Sequence, residues 1–276
     1  MITLAGGRLR TLLTLITIGC ALLLSLPTLA ASKIAIIIDD LGYNPIRGEQ
    51  IMALPAAITC AVIPQSPHAV KLATRADNTG KEVILHMPME TDSFAGLDAG
   101  GLHRQMKRNE FGLTLAQAVT RIPQARGLNN HMGGILTADR QAMSWLMEEL
   151  ALHNLFFIDS RTTAQSVATE LAQQQGLAFS GRDIFLDNER DLAAINRQFN
   201  ATLALAHRRG HAIVIGHPYP ETISYLQSVL PLLEQAGIKV VPVSTLLTRP
   251  PVRRQTAASD TEQEPGNSRA TSDPGT

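Results

Sequence analysis

Acidic and imidazole side chains stand at the ends of five short apolar runs. Ile36-Ile37-Ile38 leads into Asp39-Asp40, Val83-Ile84-Leu85 into His86, and Gly127-Leu128 into Asn129-Asn130-His131. Phe156-Phe157-Ile158 leads into Asp159, and Ile213-Val214-Ile215-Gly216 into His217. If the runs are strands of a parallel sheet, their C-terminal ends share one rim, which is where the active sites of such folds gather. One carboxylate and two imidazoles suit Zn²⁺ or a similar divalent ion and leave positions open for water and substrate, the catalytic rather than the structural pattern. Water on such an ion has its pKa lowered to about 7, so a neighbouring carboxylate can act as base, and a further histidine can protonate a leaving group.

Each residue also has a plainer reading. An Asp directly after a strand is a common helix cap or turn residue, so the inference rests on five ends coinciding rather than on any one. Asp39 and Asp40 are neighbours, and on a strand they point to opposite sides and take different roles. His86 can be a hydrogen-bonded core histidine, His131 a loop residue ahead of Met132-Gly133-Gly134, and His217 the residue before a proline-started helix at Pro218 and Pro220. Asp159 either orients His217 or a ligand histidine from behind, or pairs with Arg161. Asp187 reads as the N-cap of a helix beginning near Glu189, and His68, His103, His153, His207 and His211 as solvated or capping residues.

The elements that must position these groups follow from the pattern around them. Short β-branched runs at 33–40, 58–64, 82–89, 126–131, 155–160, 177–180 with 184–187, 212–217 and 239–243 alternate with amphipathic stretches at 68–78, 115–121, 139–153, 189–209 and 220–235. Several helix candidates, some of these stretches among them, stop at a glycine, Gly80, Gly176, Gly210 or Gly237, as a left-handed residue after a helix requires. About seven or eight βα units predict an α/β fold, a distorted (β/α) barrel of about seven strands, with a doubly wound open sheet as the alternative. Residues 90–112 have no periodic apolar face and read as a long loop on one rim. Residues 248–276 hold almost no large apolar side chain and read as a disordered polar tail.

Residues 1–31 carry Arg8 and Arg10, an apolar run over 12–26 and then Pro27-Thr28-Leu29-Ala30, the three parts of a secretory signal. The run is shorter than the ~20 residues of a spanning helix, which predicts cleavage, a periplasmic or secreted protein, and no stable membrane span afterwards. Cys60 is then the only cysteine left, so no internal disulfide can form. With 24 basic and 24 acidic residues and only 4% aromatics, there is neither an electrostatic footprint nor a stacking surface for nucleic acid. The 45% of hydrophobic residues suffice for one core over 32–247.

Over that region the sequence resembles the divergent polysaccharide deacetylases, a bacterial branch of the polysaccharide deacetylase superfamily. The resemblance rests on Ile37-Ile38-Asp39-Asp40-Leu41-Gly42-Tyr43, Leu85-His86-Met87-Pro88-Met89, Gly127-Leu128-Asn129-Asn130-His131-Met132-Gly133, Phe157-Ile158-Asp159-Ser160 and Ile215-Gly216-His217-Pro218. It implies a zinc-dependent amidase acting on N-acetyl groups of a cell-envelope glycan such as peptidoglycan. It assigns Asp39 as catalytic base, Asp40 and His86 as metal ligands and His217 as general acid. The superfamily's second histidine ligand stands four residues after the first, where this chain has Glu90; His131 is the expected replacement and Glu90 the weaker one. A carbohydrate-binding or regulatory envelope protein without deacetylation is the alternative expectation.

Overall fold

The computed structural model describes residues 31–92 and 96–250. Ile34, Ile36, Ile37 and Ile38, all fully buried, form the middle of β1 (Ser32–Leu41). Branched side chains suit a pleated surface, and each one buried contributes about 1.5–3 kcal/mol relative to an exposed one. A strand buried on both faces belongs at the centre of a parallel sheet. β2 (Thr59–Val62), β3 (Glu82–Met89), β4 (Gly127–Met132), β5 (Phe156–Asp159) and β6 (Phe179–Gly181) extend the sheet on one side of β1. β8 (His211–Gly216) and β7 (Ile184–Phe185) extend it on the other, and β9 (Ile238–Val240) also pairs with β1. All pairings between these strands are parallel.

β6 and β7 end the strand order on opposite sides, yet only Arg182 and Asp183 separate them in the chain. The Arg182 N–H donates to the Asp159 carbonyl and the Asp183 N–H to the Ile213 carbonyl, both at 2.9 Å. Two residues thus bridge the edges, and the sheet curls into a parallel half-barrel instead of lying open.

Helices α1 (Pro45–Met52), α2 (Ala69–Asn78), α3 (Arg108–Arg121), α4 (Arg140–Leu152), α5 (Ala168–Gln174), α6 (Leu192–Arg209) and α7 (Pro220–Val229) connect the strands. α1 and α5 are too short to show a period in the sequence, although α1 carries its own start signals. Pro45 occupies its first turn, and Asn44 caps it by accepting the Arg47 N–H at 3.0 Å. α3 begins inside the stretch expected to be loop up to 112. Phe111, Leu115 and Ala118 give it a buried stripe, and Gly112 marks a close approach, since a Cβ there would lie 2.8 Å from Glu149 Oε1. The expected tail also starts too early, because Thr248 exchanges hydrogen bonds with Phe179 at 3.0 and 2.7 Å. Residues 1–30 and 251–276, on which the expected leader and the rest of the expected tail fall, lie outside the described residues. Among the described residues no helix is long and apolar enough to cross a membrane.

Two apolar layers set which way the side chains of the central strands point. Ala35, Ile37, Ile84, Phe156, Ile158, Ile213 and Ile215 meet inside the barrel, while Ile34, Ile36, Ile38, Leu85, Leu128, Phe157 and Val214 pack outward with the helices. Two residues beyond Ile37, Ile84, Ile158 and Ile215 stand Asp39, His86, Ser160 and His217. Period-two alternation therefore delivers those four to the barrel mouth, and sends Asp159, in phase with Phe157, to the other side.

Gly42 closes the turn after β1 with φ 126, and a Cβ added there would lie 1.7 Å from Ser66 Oγ. We expect Gly42→Ala to cost roughly 3 kcal/mol or more through backbone strain and the clash. A denaturant midpoint unchanged from wild type would contradict this packing of the turn.

Candidate metal centre

Asp40 has φ 54, a left-handed conformation that Asp tolerates better than most residues. In regular strand geometry it would share the outward phase of Ile36 and Ile38. The turn instead places its Oδ1 3.2 Å from His86 Nε2 and 3.1 Å from His131 Nδ1. Strain of this kind gathers at functional sites, where the surrounding structure overrides local preference.

The two imidazoles come from adjacent strands. In the parallel register of β3 and β4, His86 stands opposite Asn129 and Pro88 opposite His131, so the rings meet edge-on with centroids 4.8 Å apart. His131 Nδ1 and His86 Nε2 are 3.1 Å apart. Asn129 fixes the first ring: its Oδ1 is 2.8 Å from His86 Nδ1, while its amide nitrogen donates to Asp39 Oδ1 at 2.8 Å and lies 3.3 Å from Ser160 Oγ. With that amide orientation His86 Nδ1 carries a proton, donated to Asn129, and Nε2 faces Asp40 and His131.

These residues fit a divalent cation. One donor atom each from Asp40, His86 and His131 lies within 4.8 Å of the other two. Asp40 Oδ1 is buried and has no hydrogen bond of acceptable geometry among the described residues, which an oxygen converging with two imidazole nitrogens on one cation does not need. Burial alone would raise the Asp40 carboxyl, but His131 and His86 outweigh it and hold it well below the usual carboxylate range. One oxygen and two imidazole nitrogens are a zinc-type donor set.

Asp39 faces inward and is 2% exposed. Burial pushes its carboxyl up, against the pull of His86, His217 and the Asn129 hydrogen bond; its Oδ2 is 3.6 Å from His86 Nε2. Across the mouth, His217 is held from behind by Asp187, which accepts the His217 backbone N–H at 2.7 Å, the ring Nδ1–H at 2.8 Å and the Thr222 hydroxyl at 2.7 Å. The ring stacks between Phe185 and Tyr219, with centroids at 6.2 and 5.3 Å. Burial lowers the His217 pKa, but the Asp187 hydrogen bond and charge, with the charges of Asp39 and Asp40, prevail and raise it to about 9.

His217 is therefore cationic at neutral pH. Its raised pKa contributes stability that is fully present below the unfolded value of ~6.5 and is lost as pH rises through about 9. We expect Asp187→Asn to move the His217 titration, followed by the NMR shift of its ring proton, back toward ~6.5. A midpoint still near 9 would show that Asp187 does not set it.

Three sequence expectations need correction. Asp187 caps no helix: Asp191 caps α6, accepting the Ala194 N–H at 2.9 Å, which leaves Asp187 to hold His217. Asp159, expected either behind His217 or a ligand histidine or paired with Arg161, makes no hydrogen bond to an imidazole among the described residues. Its oxygens accept the Arg161 N–H at 2.7 Å and the Ser166 hydroxyl at 2.8 Å. Glu90 is buried and accepts both the backbone N–H and the Nε–H of Arg104, at 2.8 and 3.2 Å. Its carboxylate is committed to the loop and stands outside the donor cluster. Asn129 is a functional residue that the strand-end pattern does not single out, although its place two residues before His131 puts it on the same face. Outside the donors, a cleft of about 230 Å³ is lined by Tyr43, Arg47, Asp98 and Tyr219 together with Asp40 and His131.

The family profile described as divergent polysaccharide deacetylase matches residues 36–247. The uncharacterized protein YibQ of Escherichia coli K12 is 41% identical over 235 residues, 85% of this chain and 73% of that one. An uncharacterized protein of Haemophilus influenzae Rd is 42% identical over 201 residues, 73% of this chain and 72% of that one. Among solved structures, an uncharacterized protein of Agrobacterium tumefaciens C58 has the same fold, with a TM-score of 0.76 at 22% identity over 80% of this chain and 91% of that chain.

Proposed function

Because the chain belongs to the divergent polysaccharide deacetylase family, we propose that it is a metal-dependent hydrolase removing N-acetyl groups from a cell-envelope glycan. The observation that carries this reading is the convergence of Asp40 Oδ1, His86 Nε2 and His131 Nδ1, with a carboxylate on one side and a cationic imidazole on the other. Asp40, His86 and His131 would hold the ion, Zn²⁺ by its donor set. When bound, the ion supplies Lewis acidity toward the acetyl carbonyl and lowers the pKa of water.

The remaining steps belong to the chain's own residues. Asp39, buried and hydrogen-bonded through Asn129, takes the proton of the attacking water. His217, kept protonated by Asp187, delivers a proton to the departing nitrogen as the amide C–N bond breaks. Acetate and a free amine result. Asn129 sets both the His86 tautomer and the Asp39 carboxylate, coupling the ligand to the base. The leader pattern of residues 1–31 supports action outside the cytoplasm, in the periplasm or beyond.

Acetate release from purified peptidoglycan and from acetylated chitooligosaccharides tests the reading. Zinc-loaded protein is expected to release acetate, and chelated protein to fall silent until zinc is restored. Glycan binding without acetate release would favour a non-catalytic binding protein on the same scaffold.

A further inference from the structure

We propose that Asp98 is a positioning residue of the metal centre, holding the His131 ring from behind while anchored itself by Tyr43. The inference rests on His131 being a ligand. Asp98 Oδ2 lies 3.5 Å from His131 Nε2, the nitrogen facing away from Asp40, and Asp98 Oδ1 accepts the Tyr43 hydroxyl at 2.5 Å. A histidine that ligates through one ring nitrogen carries its proton on the other, and a carboxylate there fixes the tautomer and the ring orientation. Asn129 does this for His86, and Asp98 is placed to do it for His131.

The chain around Asp98 is built to hold it there. The Leu102 N–H donates to the Pro88 carbonyl at 2.8 Å and the Glu90 N–H to the Leu102 carbonyl at 2.9 Å, so the β3–α3 connection is stitched back onto the end of β3. Arg104 and the buried Glu90 add two hydrogen bonds at the same place. From this anchor a turn with Gly100 at φ 74, closed by the Gly101 N–H on the Asp98 carbonyl at 3.0 Å, presents Asp98 over the mouth. Glu90, the residue where the resemblance expects a second histidine, thus anchors the segment that steadies its replacement, His131. Tyr43 follows Asp40 by three residues, so one carboxylate links the strand end bearing Asp40 to the ring of His131.

The plain rival is that Asp98 and Tyr43 merely tie a loop down. Zinc affinity of the metal-free protein, measured by competition with a chromophoric chelator, and the ligand-field spectrum of the Co²⁺-loaded protein separate the two. Asp98→Ala is expected to weaken zinc about 10–100-fold and to shift the cobalt bands, with the melting temperature of the metal-free protein unchanged. Asp98→Asn, which keeps an acceptor oxygen, should recover part of the affinity. An Asp98→Ala protein that binds zinc within twofold of wild type with an unchanged cobalt spectrum overturns the proposal, and so does a loss that Asp98→Asn does not recover. Wild-type protein that takes up no zinc would instead remove the metal centre itself.

Discussion

His86→Ala is expected to abolish stoichiometric zinc binding, with affinity falling well beyond the ~100-fold that losing an outer hydrogen-bond partner costs. The ring supplies one of three donors, and its Nε2 is the atom that both Asp40 and His131 approach. Its loss also leaves Asn129 Oδ1, at 2.8 Å from Nδ1, without a donor. Glu90→Gln is the control. Because the Glu90 carboxylate is engaged by Arg104 rather than by the donors, that variant should lose far less zinc on dialysis than His86→Ala, as measured by elemental analysis. Zinc retained by His86→Ala and lost by Glu90→Gln would transfer the ligand role to Glu90.

Asp39→Asn should separate chemistry from metal binding. We expect turnover to fall about 10²–10⁴-fold, the range spanned by loss of a positioned base, while zinc content stays at the wild-type level. The side chain is isosteric, and its oxygen can still accept the Asn129 amide now bound at 2.8 Å, so the mouth should keep its shape. What disappears is a carboxylate able to take a proton. The comparison is kcat beside zinc content on the same preparation. Wild-type turnover in Asp39→Asn would remove it as the base, and joint loss of zinc and turnover would make it a ligand.

Much of this arrangement was legible in the sequence. The strand ends that converge are those at which an apolar run stops on an acid or a histidine, because a parallel sheet puts all such ends on one rim. The glutamate four residues after His86 stands where the resemblance expects a histidine; it is turned onto Arg104, and His131 lies beside Asp40 and His86 instead. What stayed hidden depended on strand phase and register. Asp159 looked equivalent to His217 as a strand-end residue, yet Ile158 and Phe156 face inward and so turn Asp159 away. Asp187 sat where a cap was plausible, and β7 holds only two residues, too few to display a period. Asn129 became meaningful only once β3 and β4 were in register. Asp40 sits on the outward phase of its strand and reaches the donors only through a positive φ, which no alternation pattern encodes.

Anomalous diffraction at the zinc edge from crystals of zinc-loaded protein shows whether the three strand ends make one metal centre. A single strong peak is expected among the described residues, bonded to Asp40 Oδ1, His86 Nε2 and His131 Nδ1, with Glu90 still on Arg104. Saturating zinc that leaves this position without a peak, or a peak coordinated by Glu90 in place of His131, would contradict it.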